Sequence, residues 1–191
     1  MLNLSMFVEN HARRHPANSA VVMGPMRLNY GQLNGMANQV ANGLKAMGIQ
    51  PGDKVALSCP NVPYFPVVYY GILKAGAVVV PLNVLNKGRE IAYFLKDSDA
   101  KAYFCFEGTP ELPMAQFGSE GFKEAGTVQK LVIMTANPAG PSPIEGIETL
   151  GMFIAKQSPV FDTVMRGDSD TAVILYTSGT TGQAKGAELT H

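Results

Sequence analysis

Leu4, Phe7, Val8 and Ala12 fall on one face of a helix that stops before Pro16. The stretch SAVVMGPMRLN then reads as two short strands around a Gly24-Pro25 turn. Helical spacing returns with Leu33, Met36, Ala37, Val40, Leu44 and Met47, and Gly48 followed by Ile49 is a glycine-type stop. QPGD turns the chain into a strand, KVALSC. Further on, GREIAYFLKDS predicts a helix with Ile91, Phe94 and Leu95 inward, and AKAYFCF predicts a strand. A weak helix around Met114–Glu124, the strand KLVIM and the short helix IETLGMFIAKQ follow. Residues 135–143, rich in proline and small side chains, predict a loop. DTAVILYT is apolar without alternation, as in a strand covered on both faces.

One apolar stretch, Val62 to Leu82, is long enough to span a bilayer. It also carries Lys74, three prolines (Pro63, Pro66, Pro81) and two glycines, Gly71 and Gly76. A spanning helix would bury the lysine and break at the glycines. The pattern instead predicts a buried helix from about Pro63 to Ala75 and a buried strand from Ala77 to Val80. With this pair included, strands alternate with helices along the chain. That order predicts an α/β fold, a mainly parallel sheet with helices packed on both faces. No internal repeat and no linker divides residues 1–191.

Composition narrows the picture further. Fifteen basic and fifteen acidic residues cancel, so no basic stripe points to nucleic acid or to an anionic membrane. Charged residues make up 16% of the chain, against roughly 25% in an ordinary soluble domain; much of the surface is expected to be covered. Cys59 and Cys105 form no Cys-x-x-Cys pair and read as small buried residues in a reducing compartment. The N-terminal stretch has no basic start before an apolar run, so it does not read as a signal peptide. These features predict a cytoplasmic protein without a transmembrane segment. His11, His15 and His191 are too scattered to suggest a metal site, and the ten methionines read as core packing. Tyr64, Phe65, Tyr69 and Tyr70 read as part of a buried helix rather than as an acyl entrance.

The chemistry concentrates in ILYTSGTTGQAKGAELTH, residues 174–191. Thr177, Ser178, Gly179, Thr180, Thr181, Gly182, Lys185 and Gly186 follow a buried strand directly. Glycines allow consecutive backbone N–H groups to face one concavity, hydroxyls add donors, and Lys185 adds a mobile positive charge. That composition makes a phosphate cradle. A flexible connector has a similar composition, and composition leaves both readings open. The nucleotide-hydrolase loop Gly-x4-Gly-Lys-Ser/Thr is excluded, because Ala184 occupies the second glycine position and Gly186 follows the lysine.

The run from Tyr176 through Gly186 closely resembles the phosphate loop of the adenylate-forming superfamily, which includes acyl-CoA synthetases, peptide-synthetase adenylation domains and luciferases. PNVPYFPVVYYGILKAGAVVVPLN, LNYGQLNGMANQVANGLKAMGIQPGDKVAL and EIAYFLKDSDAKAYF resemble the same family. Residues 108–165 resemble it least. Ala184 departs from the family's usual proline before the lysine, which is expected to loosen the loop.

The resemblance implies an ATP-dependent acid–CoA ligase: a carboxylic acid and ATP give an acyl-adenylate and pyrophosphate, then coenzyme A takes the acyl group. It implies that Thr177, Ser178, Gly179, Thr180, Thr181, Gly182, Lys185 and Gly186 bind the β- and γ-phosphates, with Mg²⁺ sharing the charge. KGAELTH resembles the fatty-acyl form of the motif's tail, which implies a long-chain fatty acid as substrate. Residues 1–191 are thereby expected to be a partial N-terminal domain of such a ligase, ending just after loop 176–186 and lacking the C-terminal domain. The isolated chain is expected to lack turnover, to be poorly ordered beyond about Thr177, and to self-associate as a homodimer or larger assembly. The alternatives are a stand-alone nucleotide- or phosphate-binding module and a non-catalytic interaction domain.

Overall fold

The computed structural model describes residues 2–177 and 182–191. Helix α1 (Met6–Arg14) is followed by strands β1 (Ser19–Met23) and β2 (Met26–Asn29), which pair antiparallel as a separate hairpin. Helix α2 (Tyr30–Ala46) begins at a reciprocal cap: the Gln32 amide donates to Asn29 Oδ1 at 2.8 Å and the Asn29 amide to Gln32 Oε1 at 3.0 Å. Then come β3 (Lys54–Ser58), α3 (Tyr64–Lys74), β4 (Val78–Pro81), α4 (Gly88–Asp97), β5 (Ala100–Phe106), α5 (Met114–Ala125) and β6 (Lys130–Met134). The series ends with β7 (Glu148–Thr149), α6 (Leu150–Ala155), β8 (Thr171–Thr177) and β9 (Lys185–Thr190).

Seven strands form one sheet in the order β7-β6-β5-β3-β4-β8-β9. Every neighbouring pair is parallel except β8 and β9. Alternate residues of the apolar strands enter opposite cores. Val55, Leu57, Val79, Phe104 and Val173 join α1, α2, α3 and α6 on one face. Ala56, Val78, Val80, Tyr103, Ile133 and Ile174 join α4 and α5 on the other. The expected α/β architecture with helices on both faces is therefore present. On the first face α2 and α3 approach closely because Gly71 faces Val40; a Cβ there would lie 2.5 Å from Val40 Cβ.

The stretch Val62–Leu82 folds as α3 and β4, and among the described residues no helix is long and apolar enough to cross a membrane. Lys74 is nonetheless fully buried. Its Nζ donates to Glu9 Oε2 at 3.1 Å and to Thr163 Oγ1 at 3.2 Å, and Thr163 Oγ1 donates to Glu9 Oε2 at 2.8 Å. Burial pushes the Lys74 ammonium below its ordinary value, partly offset by Glu9. Burial also acts on Glu9, but the hydrogen bonds from Thr163 and Lys74 and the charges of Lys74 and Arg13 together outweigh it and hold the carboxyl below the usual range.

Residues 157–166 form a strap across α2. Asn38 Nδ2 donates to the Pro159 carbonyl at 2.8 Å, and Asn42 Nδ2 donates to those of Ser158 and Val160 at 2.8 and 2.9 Å. The Val164 amide then donates to the Lys74 carbonyl at 2.9 Å, and a few residues later the chain enters β8.

Three sequence expectations need correction. Strand β8 is not covered on both faces along its length: Ala172, Val173 and Ile174 are buried, whereas Leu175 and Thr177 are exposed. Residues beyond Thr177 do not lack order throughout, since Lys185–Thr190 pairs with β8 from Thr171 to Thr177. The methionines are not uniformly core: Met114 and Met134 are buried, but Met23, Met26, Met152 and Met165 are exposed.

Candidate phosphate-binding site

The parallel sheet has a reversal built into it. Strand β4 lies beside β3, but the connection leaving β4 crosses back to β5 on the far side of β3. Strand β8 then pairs parallel with β4, and its own connection runs outward to β9. The carboxyl ends of β4 and β8 therefore part their connections in opposite directions. In open α/β sheets that crevice is where ligands bind.

A cleft of about 260 Å³ lies there, lined by Asn83, Asn86, Glu90, Phe94, Tyr176 and Thr177 among others. Thr177, at the end of β8, and Ala184, just before β9, both line it. Thr177 is the last residue of β8 and is directly opposite Lys185, the first residue of β9. The two ends of the loop are thus clamped by a strand pair, and Lys185 is exposed. Among the described residues no carboxylate lies within ion-pair distance of it. Gly186 sits against Ile174, where a Cβ would come within 2.8 Å of Cγ2, so the close pairing of β9 on β8 favours glycine. Gly182 has φ of 140°, a region open to glycine. Ser178, Gly179, Thr180 and Thr181 lie outside the described residues. The structure thus places Thr177 in the cleft wall, Lys185 and Gly186 on the strand paired beside it, and Gly182 in a neighbouring cleft against α4.

Helix α4 supports this region from the second face of the sheet. The Phe94 and Tyr176 rings are 4.5 Å apart, and Tyr93 packs edge-on to Phe94 at 5.4 Å. Tyr176 donates its hydroxyl to Asp97 Oδ2 at 2.6 Å. Burial and the Asp97 carboxylate together push the Tyr176 phenol well above its ordinary value, so it stays a neutral donor. Tyr93 donates its hydroxyl to the Ala184 carbonyl at 2.9 Å. The segment expected to be loosened by Ala184 is therefore tied at that residue, through a carbonyl that a proline would also offer. Periodicity placed Tyr93 and Asp97 on a helix but gave no sign that they reach the loop, since both contacts cross about eighty to ninety residues of sequence.

The other candidate residues have quieter settings. Cys59 and Cys105 are buried free thiols, each pushed up to about 12, chiefly by burial. His11 stacks on Tyr30 at 5.0 Å, and His191 Nδ1 accepts from the Leu4 amide at 3.2 Å. Phe65, Tyr69 and Tyr70 are partly buried against the core. Tyr64 also lines an apolar pocket of about 190 Å³ with Met23, Met26, Leu28 and Met36.

A strand-end cleft beside a Gly/Ser/Thr/Lys-rich segment is the position at which open α/β sheets bind their ligands. The chain belongs to the AMP-binding enzyme family, which matches residues 8–191. It is 32% identical to the long-chain-fatty-acid–CoA ligase FadD13 of Mycobacterium tuberculosis, covering 100% of this chain and 35% of that protein. It is 35% identical to feruloyl-CoA synthase of an Amycolatopsis species over 94% of this chain and 32% of the relative. Among solved structures, the anthranilate CoA ligase AuaEII in complex with anthranoyl-AMP superimposes with a TM-score of 0.88 at 24% identity, covering 99% of this chain and 35% of that one. The chain spans about a third of the length of the relatives it matches. The shared fold is the N-terminal part of those ligases.

Proposed function

We propose that this chain supplies the N-terminal, phosphate-binding part of an ATP-dependent acid–CoA ligase. The carrying observation is the clamped loop at the β4–β8 crevice, in a chain of the AMP-binding enzyme family. In this reading a carboxylate oxygen attacks the α-phosphorus of ATP, the bond to the β-phosphate breaks, and pyrophosphate leaves. The thiol of coenzyme A then displaces AMP from the acyl carbon. A carboxylate is already a nucleophile, so the first step needs positioning and charge neutralisation rather than a base. Thr177, Ser178, Thr180, Thr181 and Lys185 would hold the departing β- and γ-phosphates, Gly179, Gly182 and Gly186 would shape the backbone around them, and Mg²⁺ would accompany the nucleotide. The remaining parts of the site, including the acyl pocket, would come from sequence outside residues 1–191.

A fatty acid is the proposed substrate class, supported by the KGAELTH tail and by the long-chain-fatty-acid relative. The buried free thiols support a reducing, cytoplasmic setting. The exposed β9 edge and the exposed Leu175 and Leu189 support self-association of the isolated chain.

The test is ATP–pyrophosphate exchange by the ligase that carries this segment, assayed with a panel of fatty acids. Lys185→Ala is expected to slow exchange by roughly a hundredfold, the low end for loss of one charge-stabilising donor. Exchange unchanged by the substitution would remove Lys185 from the phosphate site. Exchange absent with every acid tried would overturn the ligase reading.

A further inference from the structure

Helix α4 holds both limbs of the phosphate loop, and does so from a rigid seat. It packs on α5 at backbone distance: a Cβ on Gly121 would lie 2.6 Å from Ile91 Cγ2, and one on Gly88 would lie 2.8 Å from Glu120 Cβ. Its start is fixed by the Lys87 amide, which donates to Glu90 Oε2 at 2.9 Å. Near its end, Ser98 Oγ donates to the Phe94 carbonyl at 2.6 Å. From this seat Asp97 accepts from Tyr176, on the limb entering the loop, and Tyr93 donates to the Ala184 carbonyl, on the limb leaving it.

The Tyr93 bond has a particular location. Ala184 immediately precedes Lys185, and the Tyr93 hydroxyl ties down the peptide unit that Lys185 extends from. The same turn of α4 borders two clefts. One is the strand-end cleft, which contains Glu90, Phe94 and Ala184 in its wall. The other, about 600 Å³, is lined by Tyr93, Arg89 and Lys96 together with Gly182, Gln183 and Ala184. Ala184 thus borders both clefts, and the Tyr93 hydrogen bond resists its displacement into either. Backbone pairing of β8 and β9 begins only at Thr177 and Lys185, so it does not itself restrain Ala184.

We propose that Tyr93 is a positioning residue for the phosphate loop: its hydroxyl fixes the peptide before Lys185 and so sets where the ammonium meets the departing phosphates. The phosphate part of this inference rests on the ligase reading above; the mechanical part does not. Tyr93 touches no reacting atom. Its effect passes through Ala184 and Lys185, and falls on the nucleotide rather than on the acid or the thiol.

The test is Tyr93→Phe, which keeps the ring and its packing on Phe94 and removes only the hydroxyl. In the 191-residue chain, amide hydrogen exchange of residues 182–186 is expected to quicken roughly three- to tenfold, the scale of one lost hydrogen bond. Tm should stay at the wild-type value. In the ligase carrying this segment, KM for ATP in pyrophosphate exchange is expected to rise by a similar factor, with KM for the acid unchanged. A merely structural Tyr93 would lower Tm and move both constants together, which would overturn the proposal. Unchanged hydrogen exchange overturns the mechanical tie, and quickened exchange with an unchanged KM for ATP overturns the positioning role. A wild-type ligase without pyrophosphate exchange overturns the ligase reading and the phosphate role with it, while hydrogen exchange still decides the tie.

Discussion

Lys74 is the most deeply placed charge in the protein, with no exposed side-chain surface, while its partner Glu9 keeps 37% of its side chain exposed. Removing one member of such a pair is worse than removing both, because the remaining charge stays desolvated. Glu9→Ala should destabilise the chain by about 3 kcal/mol, the low end for a broken buried pair because one member is half in water. Lys74→Met fills the same space and leaves unpaired only Glu9, which water reaches, so it should cost much less. Urea unfolding of the two variants checks the order; a larger loss for Lys74→Met would mean that the ammonium contributes net stability. The pair also sets a pH dependence. The folded Glu9 carboxyl lies below its ordinary 4.5, so its contribution is complete above 4.5 and is lost as pH falls through the lower folded value. Lys74 lies below its ordinary 10.5 in the folded state. Folding there disfavours the charged form, and that handicap is relieved as pH rises from the folded value toward 10.5. Urea midpoints from about pH 6 down to about pH 3 should fall less steeply in Glu9→Gln than in the wild type. The sequence showed Lys74 as an oddity in an apolar run. It did not show Glu9, because helical periodicity reports which face is inward and not which distant charge meets it.

The elements themselves were largely legible, since a strand buried on two sides and a helix buried on one have different periods. What periodicity missed was polar. Asn38, Gln39 and Asn42 interrupt the apolar face of α2 and give no helical signal, yet their amides hold the 157–166 strap. The strap fixes the approach of β8, and β8 delivers the phosphate loop, so these amides act on the site at one remove. Asn38→Ala with Asn42→Ala removes three hydrogen bonds to carbonyls, some of which water can replace. The expected loss is about 2 kcal/mol in urea unfolding, with proteolytic cleavage moving into residues 157–166. A loss within error, with the strap still protected, would show that the apolar contacts of Phe161 hold it alone. Strand β9 was missed for a different reason: KGAELT has only short apolar content and reads as the tail of a motif. Its strand character comes from pairing with β8, which no local pattern contains.

At the scale of the molecule, the sheet ends in a hairpin whose two sides have unequal cover. On the α4 side, Ile174 and Tyr176 pack into the second core. On the other side, Val173 faces Leu189 and Leu175 faces Ala187 across the pair, and Leu175 and Leu189 are 41% and 47% exposed. Strand β9 is the sheet's edge, exposed at all six residues. An apolar face beside an open edge strand favours pairing with another copy, through backbone hydrogen bonds along the edge and burial of the leucines. The 191-residue chain should therefore scatter light above its monomer mass of 20.4 kDa at concentrations of about tens of micromolar, a range typical of modest interfaces. Leu175→Ser with Leu189→Ser should return it to monomer mass without changing its far-ultraviolet circular dichroism. The relatives extend far beyond the matched third, and in a ligase of that length this face is expected to be covered by the same polypeptide. There the same double substitution should lower Tm rather than change mass. A wild-type 191-residue chain that stays monomeric across the concentration range would show that charge and solvation at Lys185 and Glu188 are enough to keep the edge apart.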